Sequence, residues 1–154
     1  MMGVPSIRFN DFVGKIPHPD KPGEKIEVAS GDDGGAAYYP GNSAAGYSVQ
    51  PNGQAIARSY GSMTYALLKS YTLAGVRGDD PRVQAAVKWI QNNWTLAVNP
   101  GSDPAMGEKV KYAGLFYYYM VLAQALDDGD QQLHLVLHLL ALPLRARRRV
   151  RRQL

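Results

Sequence analysis

Cysteine is absent from the 154 residues, which excludes disulfides, thiolate nucleophiles and cysteine-ligated zinc. Long apolar runs are absent as well: no stretch approaches the roughly 20 apolar residues that a membrane-spanning helix needs. The opening MMGVPSIRFNDF has neither the basic nor the apolar region of a secretory signal, so a soluble, cytoplasmic product is the expectation. Basic charge is scarce outside the C-terminus. Six arginines (Arg145, Arg147, Arg148, Arg149, Arg151 and Arg152) lie in the last ten residues, leaving 11 basic against 13 acidic side chains elsewhere. The net charge of +4 is therefore a property of the tail, and any case for nucleic acid or an anionic membrane rests there alone. No phosphate-cradling glycine loop, nucleophile elbow or cofactor motif occurs, and no cofactor is expected.

What is present divides into three parts. Residues 1–54 hold most of the breakers, among them Pro17, Pro19, Pro22, Gly34, Gly35, Pro40, Pro51 and Gly53, and read as loops with one short helix. Residues 55–126 carry helical periods. Tyr60, Met63, Thr64, Leu67, Leu68 and Tyr71 recur at helical spacing until Gly75 and Gly78 stop the first helix. Asp79-Asp80-Pro81 then starts a second helix running to about Trp94, with Asp80 as the capping acceptor and Pro81 in the first turn. Its stripe of Val83, Ala86, Val87, Ile90 and Trp94 predicts packing on one side only. A third helix, Tyr112 to Leu126, has almost no polar face and is expected to be enclosed by protein. Placing Gly61 over Gly114 also sets Tyr65 over Tyr118 and Leu73 over Leu126, the trace of an internal repeat.

Residues 127–154 form the third part, DDGDQQLHLVLHLLALPLRARRRVRRQL, rich in Leu, Arg and His. Leu133 to Leu142 followed by arginines has the composition of a segment lying on an anionic membrane surface. Phosphates of nucleic acid are the other anionic partner, but base-reading residues are missing and nucleic acid is not expected. His134 and His138 would share a helix face as zinc ligands do, yet no third ligand accompanies them, and no metal is expected.

SYGSMTYALLKSYTLAGVRGDDPRVQAAVKWIQNNWTLAVNPG, followed by GLFYYYMVLAQAL, resembles the bacterial prenyltransferase and squalene-oxidase repeat proteins, relatives of squalene-hopene cyclases and protein prenyltransferase β subunits. GDDGGAAYYPG, residues 31–41, is similar to the Asp-Gly-Gly-aromatic segment of that family. The resemblance implies an all-α fold: part of an (α/α) toroid of antiparallel helix pairs with long irregular loops, shorter than a full ring. It also implies an aromatic cavity for an isoprenoid or other apolar ligand, with Tyr60, Tyr65, Tyr71, Tyr117, Tyr118 and Tyr119 as candidate lining residues. Against this, aromatic stripes at helical spacing are commonly core, their hydroxyls bonded to loop carbonyls.

The chain departs from the catalytic relatives. The Asp-x-Asp-Asp acid of the cyclases has no counterpart, and the Asp, Cys and His zinc set of the protein prenyltransferases cannot be assembled. Asp32 and Asp33 are the one catalytic candidate, since close carboxylates can share a proton; a glycine-flanked pair also reads as a turn. The resemblance ends after Leu126, where the Leu/Arg composition is what a GC-rich gene yields out of frame. Three functions follow: a noncatalytic scaffold or apolar-ligand module, part of an isoprenoid cyclase or prenyltransferase, or a truncated or frameshifted inactive product. An incomplete ring would leave inner helices open to self-association.

Overall fold

A computed structural model describes residues 14–18, 21–39 and 43–127. The expectation of an all-α toroid is overturned: the breaker-rich first part folds as a four-stranded mixed sheet. Its strands are β1 (Gly14–Pro17), β2 (Lys25–Ser30), β3 (Tyr47–Val49) and β4 (Ala55–Ala57), in the order β1-β2-β4-β3. β1 runs antiparallel to β2, with Ile16 opposite Ile26; β2 is parallel to β4, and β3 is antiparallel to β4. The strands are so short that most of the breakers fall between them, and Pro17 sits at the very end of β1. In the β3–β4 hairpin the Gln50 and Gly53 backbones close the turn, and Asn52 Oδ1 accepts from Gln54 N at 3.0 Å. Val28, Ala55 and Ala57 are buried, with Ile16, Ile26, Ala37 and Tyr47 packed around them as a small separate core.

The three helices lie close to where periodicity places them: α1 (Gly61–Leu73), α2 (Pro81–Asn93) and α3 (Leu115–Asp127). Asp80 caps α2 as expected, its carboxylate accepting from Arg82 N at 2.9 Å and from the Arg82 guanidinium, which holds its pKa down at about 2. α1 has no such cap of its own. Its free amides are instead met from a distant segment: Pro100 O accepts from Gly61 N, and Asn99 Oδ1 accepts from Ser62 N. The buried Asn99 also donates to Ser62 Oγ and to Ala113 O just before α3, joining the starts of the two helices.

Contacts give the directions of packing. Tyr65 meets Tyr118 and Lys69 Nζ donates to Gln124 Oε1, so α1 and α3 run parallel. Tyr71 near the end of α1 lies under the Arg82 guanidinium at the start of α2, so these two are antiparallel. The main core sits among the three, formed by Tyr65, Leu68, Val83, Ala86, Val87, Trp89, Ile90, Tyr118, Val121, Leu122 and Ala125. Burying its valine, leucine and isoleucine side chains contributes about 1.5–3 kcal/mol each.

A second expectation also fails. α3 is not enclosed on all sides: Phe116 is 88% exposed and Met120 47% exposed. Among the described residues no helix is long and apolar enough to cross a membrane. The readings of His134, His138, Leu133 to Leu142 and the arginine cluster lie outside the described residues.

Candidate functional site

The six candidate tyrosines separate into three environments. Tyr65 and Tyr118 are core residues, 1% and 0% exposed, with rings 5.7 Å apart at 66°. Tyr118 donates its hydroxyl proton to Thr95 O at 2.8 Å, and half-buried Tyr119 donates to Leu96 O at 2.6 Å. These two phenols fasten α3 to the loop after α2, so they work as packing with satisfied hydroxyls. Tyr71, nearer the end of α1, packs on the edge of the same core with the Arg82 guanidinium over its ring.

Tyr60 and Tyr117 form the remaining environment. Tyr60 is buried and Tyr117 is 43% exposed. The Tyr60 phenol is raised in pKa first by burial and then by the phenols of Tyr117 and Tyr38, and its backbone N–H donates to Ala36 O, which brings the start of α1 against the 33–39 segment. Tyr38 and Tyr39 are exposed, their rings 5.4 Å apart. An aromatic surface thus lies where the 33–39 segment meets the starts of α1 and α3. Sequence reasoning missed Tyr38 and Tyr39 as surface partners, although they stand in the Asp-Gly-Gly-aromatic segment. It also missed Asn99, which carries no local signal because its partners are distant in the chain.

The tyrosines of the core have a measurable pH signature. Burial pushes the Tyr118 phenol up to about 12 and raises Tyr65 further. An unfolded phenol ionises near 10.0, so the fold's preference for neutral tyrosine is complete below that pH and is lost as pH rises toward 12. Unfolding is therefore expected to set in above pH ~10, with ultraviolet absorbance showing an early phase from exposed phenols and a late phase that coincides with loss of helicity. Tyr65 adds a second test. Its hydroxyl is buried without a partner of hydrogen-bonding geometry, while the neighbouring Tyr118 hydroxyl is directed to Thr95 O. Tyr65→Phe is expected to raise stability by about 1–2 kcal/mol in urea melts, while Tyr118→Phe lowers it by about 1 kcal/mol.

Asp32 and Asp33 separate in role. Asp32 is exposed on the turn. Asp33 lies on the same turn, but its carboxylate is engaged on both oxygens: Oδ1 accepts from Gly35 N at 3.0 Å and Ser59 Oγ at 2.8 Å, and Oδ2 accepts from the Trp89 indole at 2.9 Å. The two glycines that follow allow this approach. Gly34 has φ +85 and presses on the α2 backbone, where an added Cβ would sit 2.6 Å from Ala85 O. A Cβ on Gly35 would sit 2.6 Å from Ser59 Cβ and 2.7 Å from the Trp89 indole nitrogen. The strand of chain continues into α1: Ala36 N donates to Thr64 Oγ1, and Tyr60 N donates to Ala36 O. Asp33-Gly34-Gly35 is thus a clamp holding the sheet's outgoing chain onto α1 and α2.

Among the described residues no group of three or more His, Asp or Glu is placed to hold a metal ion. The chain matches no protein-family model, no curated protein and no solved structure.

Proposed function

We propose that this chain works as a noncatalytic binding module, related in sequence to the prenyltransferase and squalene-oxidase repeat proteins, that takes up an isoprenoid or similar apolar chain. The observation that carries this reading is the set of exposed tyrosines, Tyr38, Tyr39 and Tyr117, around the joined starts of α1 and α3, with Tyr60 buried beneath. Phenol rings offer large apolar area with little conformational entropy to lose, which suits an extended hydrocarbon. Support for a noncatalytic role comes from Asp33, whose two oxygens are occupied by structural donors. The enzymatic alternative would need an acid free to meet substrate, and the toroid cavity that would host one gives way to a sheet.

Equilibrium dialysis against radiolabelled squalene and farnesol tests the reading. Saturable uptake is expected, weakened about tenfold by Tyr117→Ala, since loss of one aromatic contact is worth on the order of 1.4 kcal/mol. Absence of saturable uptake, or uptake indifferent to Tyr117→Ala and Tyr38→Ala together, would overturn it.

A further inference from the structure

Asn52-Gly53, at the tip of the β3–β4 hairpin, is the one Asn-Gly pair in the sequence. Both residues are exposed. Asn52 Oδ1 accepts from Gln54 N at 3.0 Å, an Asx turn in which the carboxamide stands where the first carbonyl of a β-turn would stand. The ring so closed folds Asn52 Cγ back over the nitrogen of Gly53, and the hydrogen bond draws electron density from that carbon. Gly53 carries no Cβ, and nothing lies within 4 Å of where one would be, so its nitrogen is uncrowded. Its N–H donates to Gln50 O at 2.9 Å, a bond that must open before the nitrogen can react. The hairpin holding that bond has strands of three residues, so opening at the tip needs only a small part of the global stability.

The other described asparagines are placed differently. Asn92 lies inside α2, whose backbone commits the following amide to the helix. Asn93 donates its carboxamide to Trp89 O. Asn99 is buried with both ends of its carboxamide bonded, and Pro100 after it has no N–H. We propose that Asn52 is a site of spontaneous covalent modification, at which the chain converts its own asparagine to a mixture of aspartate and isoaspartate. Gly53 N gives its proton to solvent base and attacks Asn52 Cγ, forming a succinimide ring; the carboxamide nitrogen takes up a proton and leaves as ammonia. Water then opens the ring. Breaking the bond from Gly53 N to Cγ yields aspartate, and breaking the bond from Gly53 N to the main-chain carbonyl carbon yields isoaspartate, with the backbone routed through Cβ and Cγ. The two products differ in consequence. Aspartate keeps an acceptor for Gln54 N. Isoaspartate lengthens the backbone by one carbon inside a turn whose bonds, Gln50 N to Gln54 O and Gly53 N to Gln50 O, fix the pairing of Val49 with Ala55. Because β4 also pairs with β2, the lost register reaches the middle of the sheet.

Incubation of the purified full chain at mildly alkaline pH, then digestion at acid pH and peptide mapping, tests this. The peptide holding Asn52 is expected to become about one dalton heavier with release of ammonia, while Asn92, Asn93 and Asn99 react at least about tenfold more slowly. Gly53→Ala is expected to slow the reaction at Asn52 at least about tenfold, because a methyl group crowds the attacking nitrogen. Labelling with an isoaspartyl carboxyl methyltransferase identifies the isoaspartate fraction. That fraction is expected to lose hydrogen-exchange protection in β3 and β4, whereas an Asn52→Asp chain keeps it. An Asn52 that stays intact in the folded chain while the same chain in urea converts would overturn the proposal. Conversion of Asn92, Asn93 or Asn99 at an equal rate, or indifference to Gly53→Ala, overturns it too, as does an isoaspartate fraction whose exchange matches that of the unmodified chain. The reaction uses none of the tyrosines, so the dialysis result with Tyr117→Ala is independent of all these outcomes.

Discussion

A Gly34→Ala chain is expected to lose about 2–5 kcal/mol of folding stability, seen as a large drop in the urea midpoint. Two effects add. A φ of +85 is costly for any residue with a Cβ, about 1–2 kcal/mol. The new methyl would also sit 2.6 Å from Ala85 O and 2.7 Å from Ala85 C, both backbone atoms inside α2 that cannot rotate away. Moving the helix or the turn to relieve that contact costs about 1–3 kcal/mol more. Gly53→Ala separates the two effects: its φ of +81 is nearly the same, but no atom lies within 4 Å of the added carbon. It should lose only about 1 kcal/mol. A single domain has about 5–15 kcal/mol in total, so Gly34→Ala brings this chain to the edge of folding.

The second large effect belongs to the carboxylate on the same turn. Asp33→Ala removes three acceptor contacts and leaves the indole N–H of Trp89 unmatched. Hydrogen bonds to an ionised group contribute about 1.5–3 kcal/mol each when shielded; with Asp33 open to solvent on one side, a total of about 2–4 kcal/mol is expected. Trp89→Phe deletes one bond and its donor together, so it should cost less than Asp33→Ala. A double-mutant cycle between the two is expected to return a coupling of about 1–1.5 kcal/mol. Because the clamp joins the sheet's outgoing strand to α1 and α2, its loss should also separate the sheet's hydrogen-exchange protection from that of the helices.

The helices were legible because each carries a repeated apolar stripe long enough to outweigh its irregularities. Asp80-Pro81 shows this best, since cap, proline and stripe all agree on where α2 begins. The sheet was not legible. β3 and β4 are three residues each, too short for alternation to stand out, and their pairing is set by contacts across the chain rather than by local pattern. KIEVAS in β2 does alternate, but the surrounding prolines and glycines read as loop. The enclosed reading of α3 failed for a related reason: composition says how apolar a helix is, not whether a neighbour exists to cover it, and Phe116 has none among the described residues.

At the candidate site, the tyrosines singled out by the sequence divide between core and surface. Tyr65 and Tyr118 belong to the core, Tyr119 to the loop carbonyl of Leu96, and Tyr71 to Arg82. Tyr60 is buried with its N–H bonded to Ala36 O of the 33–39 segment, and Tyr117 is exposed on α3. A stripe of identical residues cannot reveal this sorting, because one position round the helix decides between core and surface. Asp33 was singled out as an acid candidate or a turn residue. It does form the turn, through Gly35 N, and its long-range bonds to Ser59 and Trp89 could not be read from neighbours in the sequence.

Asp33 is held as a structural acceptor, and we propose that it sits in a module that binds apolar chains without transforming them. Incubating the folded chain with squalene and with prenyl diphosphates, then analysing the mixture by mass spectrometry, tests it most directly. Recovery of both compounds unchanged from a saturable complex is the predicted result. A cyclised or prenyl-transferred product whose formation disappears in a folded Asp33→Asn chain would contradict it.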